Sequence, residues 1–244
     1  MNIIKTFGLA AIAFSIVSSC TDAHMKVLNK TMEDINKAGK PAPLTNAEVI
    51  SGLKEALSFG IQNASGLANK TDGYFKNSRL FIPFPPEAKN IEDKLRGLGF
   101  NKLCDDFTMS VNRGAEQAAI QAIPIFKNAI TNMSIGDGFN ILKGGDNAAT
   151  EYLKSNTTPQ LVSAFKPIIQ TALNNGNATK YWTDIINTYN KIPFITKMNP
   201  DLAGYATDKA IQGLFMLVAD EEAKIRKDPF ARVTDLLKRV FGGV

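Results

Sequence analysis

Histidine is almost missing from this chain: among 244 residues there is only His24. Cysteine is nearly as scarce, at Cys20 and Cys104, and tryptophan occurs once, at Trp182. With its single imidazole so close to the N-terminus, the body of the chain cannot assemble a Ser-His-Asp or Cys-His nucleophile, nor a Cys/His zinc site. A dense basic stripe is lacking as well. The 28 Lys and Arg residues against 23 Asp and Glu leave +5, spread along the chain without interleaved aromatics. That distribution argues against a nucleic-acid surface. Past the first twenty positions, no stretch approaches the ~20 uninterrupted apolar residues that span a bilayer as a helix.

The N-terminus does carry an apolar run, Phe7 to Val17, behind the early positive charge of Lys5. Its length of ~7–15 residues and the small residues after it fit a secretory signal over residues 1–19. The run ends in Val17-Ser-Ser-Cys20, which resembles the bacterial lipobox. On that pattern the Cys20 thiol receives the lipid and becomes the mature N-terminus, so Cys20 is expected to be a membrane anchor. Acyl chains contribute about 0.8 kcal/mol per buried methylene, so two or three hold a folded domain durably. Residues 20–43, with Lys26, Lys30, Lys37, Lys40, Pro41 and Pro43, read as the lipidated cysteine and a polar tether. Residues 44–244 then form one domain, long enough for a sizeable core. The expected address is exported and anchored to a bacterial membrane, the outer in preference to the inner. The domain would then lie in the periplasm or at the cell surface.

Within that domain the apolar spacing is helical throughout. Leu44-Thr45-Asn-Ala-Glu48-Val49 has the form of a capping box with a hydrophobic staple, and Val49, Ile50, Leu53, Leu57, Ile61, Ala64 and Leu67 continue it as a helix stopping at Asp72-Gly73. Leu80 to Pro86 contains Pro83, Pro85 and Pro86, which forbid a helix interior. An extended cover bearing Phe81, Ile82 and Phe84, with at most a short strand pair, is expected there. A helix from about Pro86 to Leu98 should stop at Gly97 and Gly99. The longest pattern, Leu103 to Ile130, is expected to kink or break at Pro124. Its second face, Met109, Arg113, Glu116, Ile120 and Ile123, suggests a central helix. Cys104 beside Leu103 is expected as a buried structural thiol.

Further helices are expected at 134–143, 146–155, 158–174 and 178–190. Thr158-Pro159 and Asn199-Pro200 read as caps with proline in the first turn, the latter opening a long helix to Arg226. A last helix is expected after Asp228-Pro229, with Phe230, Val233, Leu236, Leu237, Val240 and Phe241 in one stripe. No repeat of 20 to 50 residues recurs. The fold class is therefore all-α, a single bundle-like multi-helix domain with a short proline-rich extended segment.

Four stretches together carry a likeness: TNAEVISGLKEAL (Thr45 to Leu57), MSVNRGAE (Met109 to Glu116), MSIGDGFNILKGGDNAATEY (Met133 to Tyr152), and Tyr205 to Phe241 with its EEAKIRKDP and TDLLKRVF. They resemble the bacterial family known as domain of unknown function 4197. Gly114 and Gly138 stand where that pattern has alanine. The resemblance implies a secreted or lipid-anchored, mostly helical protein with no established activity, and it supplies no catalytic residues.

Asn112, Arg113 and Glu116 form the most suggestive polar group, because a charged pair on a central helix is costly to bury unless fully partnered. Arg113 could clamp an anionic ligand with Glu116 orienting it. Alternatively the two form an internal ion pair setting helix register, with Asp137, Thr150 or Tyr152 as outside partners. The run Asp220-Glu221-Glu222 reads as a solvated face, supported by the i, i+4 pairs Asp220/Lys224 and Glu222/Arg226. The last helix, with Arg232, Lys238 and Arg239 opposite its apolar stripe, either docks on the domain or lies on an anionic membrane. Trp182, Tyr181, Phe165 and Tyr189 are core, or the lining of a pocket.

The double glycine Gly144-Gly145 is followed by Asp146, which excludes a P-loop, and the loop lacks the alternating oxygens of a calcium site. It reads as a corner, with Gly144 left-handed at one helix end and Asp146 capping the next. No catalytic residue, metal or cofactor is called for. The expected function is non-enzymatic binding or envelope support, with a membrane and an unknown protein or small molecule as partners and no nucleic acid. The alternatives are a carrier of an apolar or lipid-like ligand, which needs a cavity of about 300 Å³ or more, and a carboxylate-dependent periplasmic hydrolase.

Overall fold

Thr45 opens the first helix by the local chemistry its sequence suggests. Its hydroxyl accepts from the Glu48 amide at 3.2 Å, and the Glu48 carboxylate accepts from the Thr45 amide at 2.8 Å. A computed structural model describes residues 44–241 apart from 192, 195, 196, 200, 229, 230 and 233. The signal, tether and anchor expected at residues 1–43, with Cys20 and His24, lie outside the described residues, as do Phe230 and Val233. From Leu44 the chain forms one compact unit.

Helix α1 (Asn46–Asn69) buries Ile50, Leu53, Leu57, Ile61, Ala64 and Ala68, steps of three and four that make one stripe. Leu67, expected on that stripe, falls on its flank and is exposed. The segment after α1 runs without regular structure to a 3₁₀ turn at Pro86–Ala88. It buries Leu80, Ile82 and Phe84, whereas Phe81 points outward and meets Phe75. The extended cover is thus confirmed with Leu80 in the place expected for Phe81. No strand is present among the described residues.

Next come α2 (Lys89–Gly97), ended by Gly99 at φ +89°, and α3 (Asn101–Ala119). The break near Pro124 comes earlier than expected, at Ile120 and Gln121, because Pro124 sits in the first turn of α4 (Ala122–Thr131). There its missing N–H would have had no intrahelical partner. Met109 and Ile120 are exposed, so α3 is apolar on one side only.

Helix α5 (Ile135–Lys143) opens with a second capping box, Ser134 with Asp137. The two helices expected at 146–155 and 158–174 are one continuous helix, α6 (Ala148–Asn175), with Pro159 and Pro167 inside it. An interior proline costs ~3 kcal/mol. Against that, Leu153, Leu161, Phe165, Ile169 and Leu173 of this one helix are all 0% exposed, each worth about 1.5–3 kcal/mol of burial. Packing outweighs the local break signal.

The remaining elements are α7 (Ala178–Tyr189), α8 (Leu202–Lys227) and α9 (Asp235–Phe241). Asp201, not Asn199, caps α8, accepting from the Gly204 amide at 2.8 Å. Helix α6 packs chiefly on α3 and α8, and α1 lies against α8, α4, α3 and α9. Gly114 explains one departure from the family pattern. A Cβ there would sit 3.2 Å from the Ile169 Cα, so its absence lets α3 and α6 approach closely. Leu237, Val240 and Phe241 are buried and α9 docks on α1, which decides the last helix in favour of docking. Among the described residues no helix is long and apolar enough to cross a membrane.

Candidate functional site

Arg113 and Glu116 do pair, at 2.5 Å, one turn apart on α3. The outside partner is not Asp137, Thr150 or Tyr152 but Asp72, which Arg113 reaches with its other terminal nitrogen at 2.6 Å. Asp72 takes a left-handed backbone at φ +68° just past α1, a conformation that aspartate tolerates better than most residues. The second oxygen of Glu116 accepts from the amides of Tyr74 and Phe75, each at 3.1 Å. Glu116 is 3% exposed, so its bonding capacity is spent on protein.

Asn112 works on the same segment. Its side-chain oxygen accepts from the Ile82 amide and its NH₂ donates to the Ile82 carbonyl, both at 2.9 Å. The amide thereby stands in for a strand partner, satisfying backbone groups of a proline-rich stretch that has no sheet. Tyr74 adds a buried hydroxyl donated to the Ala210 carbonyl at 2.6 Å, and burial, with the Glu116 charge beside it, pushes its phenol far above the usual range. The polar residues of α3 therefore hold residues 72–82 against the bundle.

Thr150 belongs to a different cluster. Its amide and hydroxyl both donate to Glu222, at 2.8 Å each, and the Ala149 amide donates to the other Glu222 oxygen at 3.0 Å. Arg226 completes the group, 2.8 Å from Glu222, and donates to the Ile141 carbonyl. The acidic run is consequently not a solvated face: Glu221 and Glu222 are 7% and 6% exposed. The Glu222/Arg226 pair forms as expected, but Asp220 binds Arg79, and Lys224 binds Glu221. The Gly144 corner is a helix-to-helix turn with different fittings. Gly144 is extended, at φ −76° and ψ 176°, not left-handed. Asp146 pairs with Lys227 at 2.7 Å, and α6 is capped from a distance by Glu222.

Asp137 and Tyr152 are brought together, lining one groove with α4. The six candidate residues thus fall into three places: Asn112, Arg113 and Glu116 on α3, Thr150 on Glu222, and Asp137 with Tyr152. Asp72, Tyr74 and Phe75 were missed by sequence reasoning, and Glu222 was read only as a surface partner of Arg226. Only the turn-forming Asp72-Gly73 pair offered a signal.

Four aspartates are held below their ordinary range: Asp72 by Lys76 and then Arg113, Asp137 by the Ser134 hydroxyl and amide, Asp146 by Lys227, and Asp201 by Lys166 and then the Gly204 amide. Each releases its proton more readily folded than unfolded. Their contribution is complete above the unfolded carboxylate value of ~3.9 and is lost as pH falls through the lower folded values. The thermal midpoint is expected to hold between about pH 7 and 5 and to drop between about pH 4 and 3. A midpoint independent of pH across that acid interval would refute the coupling.

The remaining feature is apolar. Phe84 stacks on Phe107 at 4.1 Å between ring centroids, and Phe107 on Trp182 at 5.7 Å. These rings wall a cavity of about 210 Å³ between α2, α3 and α7, with Leu95, Leu103 and Ile185. Tyr181 stands 46% exposed beside it, while the Trp182 Nε1 is buried without a hydrogen-bond partner among the described residues. Phe165 is wholly core, and Cys104, 1% exposed, is the buried thiol expected, its pKa raised by burial.

A family model described as "Protein of unknown function (DUF4197)" matches residues 43–242. The chain belongs to this family. Neither the curated proteins nor the solved structures yield a match. Membership in the DUF4197 family therefore brings no borrowed chemistry. The DUF4197 chain must be read from its own clefts.

Proposed function

We propose that the domain is a non-enzymatic binding module that holds a compact apolar ligand in the Phe84–Phe107–Trp182 cleft. Lipid on Cys20 keeps it on a bacterial envelope membrane. The observation that carries the reading is the contrast between the sites: Glu116 and Glu222 have their oxygens occupied by protein donors, whereas the aromatic cavity has about 210 Å³ to offer. A cavity of ~150 Å³ lined by apolar side chains suffices to take up benzene. The volume here fits a one- or two-ring molecule or a short acyl segment. It is smaller than the ~300 Å³ at which ligand pockets usually begin, so carriage of a whole lipid is not supported by this cleft.

Trp182 is the only tryptophan, so its emission reports from the cleft itself. Titration with N-phenyl-1-naphthylamine is expected to quench Trp182 and to give sensitised probe emission. Leu103→Phe, which narrows the cleft, should weaken binding about tenfold, equivalent to 1.4 kcal/mol. Probe binding that is absent, or equally strong in Leu103→Phe, refutes the cleft. Membrane attachment is tested separately: Cys20→Ser should abolish palmitate labelling and move the protein to the soluble fraction.

A further inference from the structure

The groove that holds Asp137 and Tyr152 shares no lining residue with the aromatic cleft and has the opposite chemistry. It has a volume of about 560 Å³ and lies between α4, α5 and α6. Asn128 and Asn132 line it from α4 and its C-terminal cap, Asp137 from α5, and Tyr152, Asn156 and Gln160 from α6. Ile125 and Ala129 add an apolar strip. The chain has 28 Lys and Arg residues, and none of those among the described residues lines this groove. A phosphate or sulfate ester would meet the Asp137 carboxylate with no cation to offset it, so the groove disfavours anionic ligands.

Four of the polar side chains are set in place before any ligand arrives. Asn132 donates to the Asn128 side-chain oxygen at 3.0 Å, Asn156 donates to the Tyr152 carbonyl at 2.7 Å, and Asp137 is held by the Ser134 hydroxyl at 2.7 Å. Each bond uses one function of its group and leaves another open. The Asn128 NH₂, the Asn132 and Asn156 oxygens, the second Asp137 oxygen, the whole Gln160 amide and the Tyr152 hydroxyl have no partner among the described residues. Planar amides present donor and acceptor together, and adjacent sugar hydroxyls, each both donor and acceptor, complement that arrangement. The half-buried Tyr152 ring supplies an amphipathic face with a polar tip. Side chains already fixed lose less freedom on binding.

We propose that this groove binds an uncharged oligosaccharide, its hydroxyls read by the four amides and Asp137 and its apolar C–H face laid on Tyr152. The volume lies within the ~300–1,000 Å³ of small-molecule sites, which suits two or three sugar units. This site stands independently of the aromatic cleft.

Calorimetric titration of the full chain carrying Cys20→Ser, with N,N′,N″-triacetylchitotriose and with maltotriose, tests it. At least one of the two is expected to bind below about 1 mM, with an affinity unchanged between ~50 and ~500 mM salt because no charge is neutralised. Asn128→Ala with Gln160→Ala, both exposed, should weaken binding at least tenfold. Tyr152→Phe should retain binding and Tyr152→Ala should lose it. No heat with either sugar up to ~10 mM, binding that survives the Asn128/Gln160 double change, or an affinity that collapses with salt would each overturn the assignment.

Discussion

Glu222→Ala is expected to destabilise the domain by about 3–5 kcal/mol, the cost of removing one member of a buried ion pair. The urea midpoint should fall with little change in slope, since the loss lies in native interactions. Three donors lose their acceptor at once: the amides of Ala149 and Thr150 and the Thr150 hydroxyl. The two amides belong to the first turn of α6, whose own cap residue Asn147 makes no side-chain cap bond. Glu222 is thus both cap and counter-charge to the positive end of the helix dipole. Arg226, its side chain 15% exposed, keeps the Ile141 carbonyl and loses the one ion pair it makes among the described residues. Glu222→Gln keeps an oxygen and loses the charge, so it should cost less, about 1–3 kcal/mol. Arg226→Leu combined with Glu222→Ala should cost less than the sum of the singles by about 1–3 kcal/mol, because the unpaired charge is removed. Additive losses would mean that the pair and the cap act separately.

That cap also marks where sequence reasoning stops. Caps built from neighbours were legible: Thr45 with Glu48 needs only three residues and a backbone amide. The stripe of α1 and the extended stretch around Pro83 and Pro85 were legible too, because periodicity and a missing N–H act locally. Asp201 was misread by two positions, since Asn199 had the right chemistry as well and instead accepts from the Asp201 amide. Thr158-Pro159 has the local form of a helix start, yet Leu153 and Leu161 on either side share one buried stripe, and burial decided. The acidic run failed for a reason of distance. Glu221 accepts from Asn63, 158 positions away, and Glu222 from Thr150, 72 positions away. Side chains whose partners lie that far off carry no local sign of facing inward. The two grooves were illegible on the same ground. Each is a property of three helices together, and only Tyr181 with Trp182, and Asp137 with Tyr152, had stood out singly.

Glu116→Ala should cost a similar amount, about 3–5 kcal/mol, but its loss should be local before it is global. The amides of Tyr74 and Phe75 would lose their acceptor and Arg113 its buried anion. Hydrogen exchange at Tyr74 and Phe75 should speed up by more than the fall in global stability accounts for. The Ala149 and Thr150 amides, held by Glu222, should follow the global change alone. Arg113 supplies the sharper distinction. Its two terminal nitrogens span Glu116 and Asp72 at 2.5 and 2.6 Å, a fork that a lysine ammonium cannot reproduce. Its side chain is 31% exposed and Asp72 27%, so solvent reduces the effect. Arg113→Lys is therefore expected to lower stability by about 1 kcal/mol. A thermal midpoint unchanged in Arg113→Lys would show that the fork does not hold residues 72–82. The cluster would then be free to serve a ligand, and the case for it as internal scaffolding would fail.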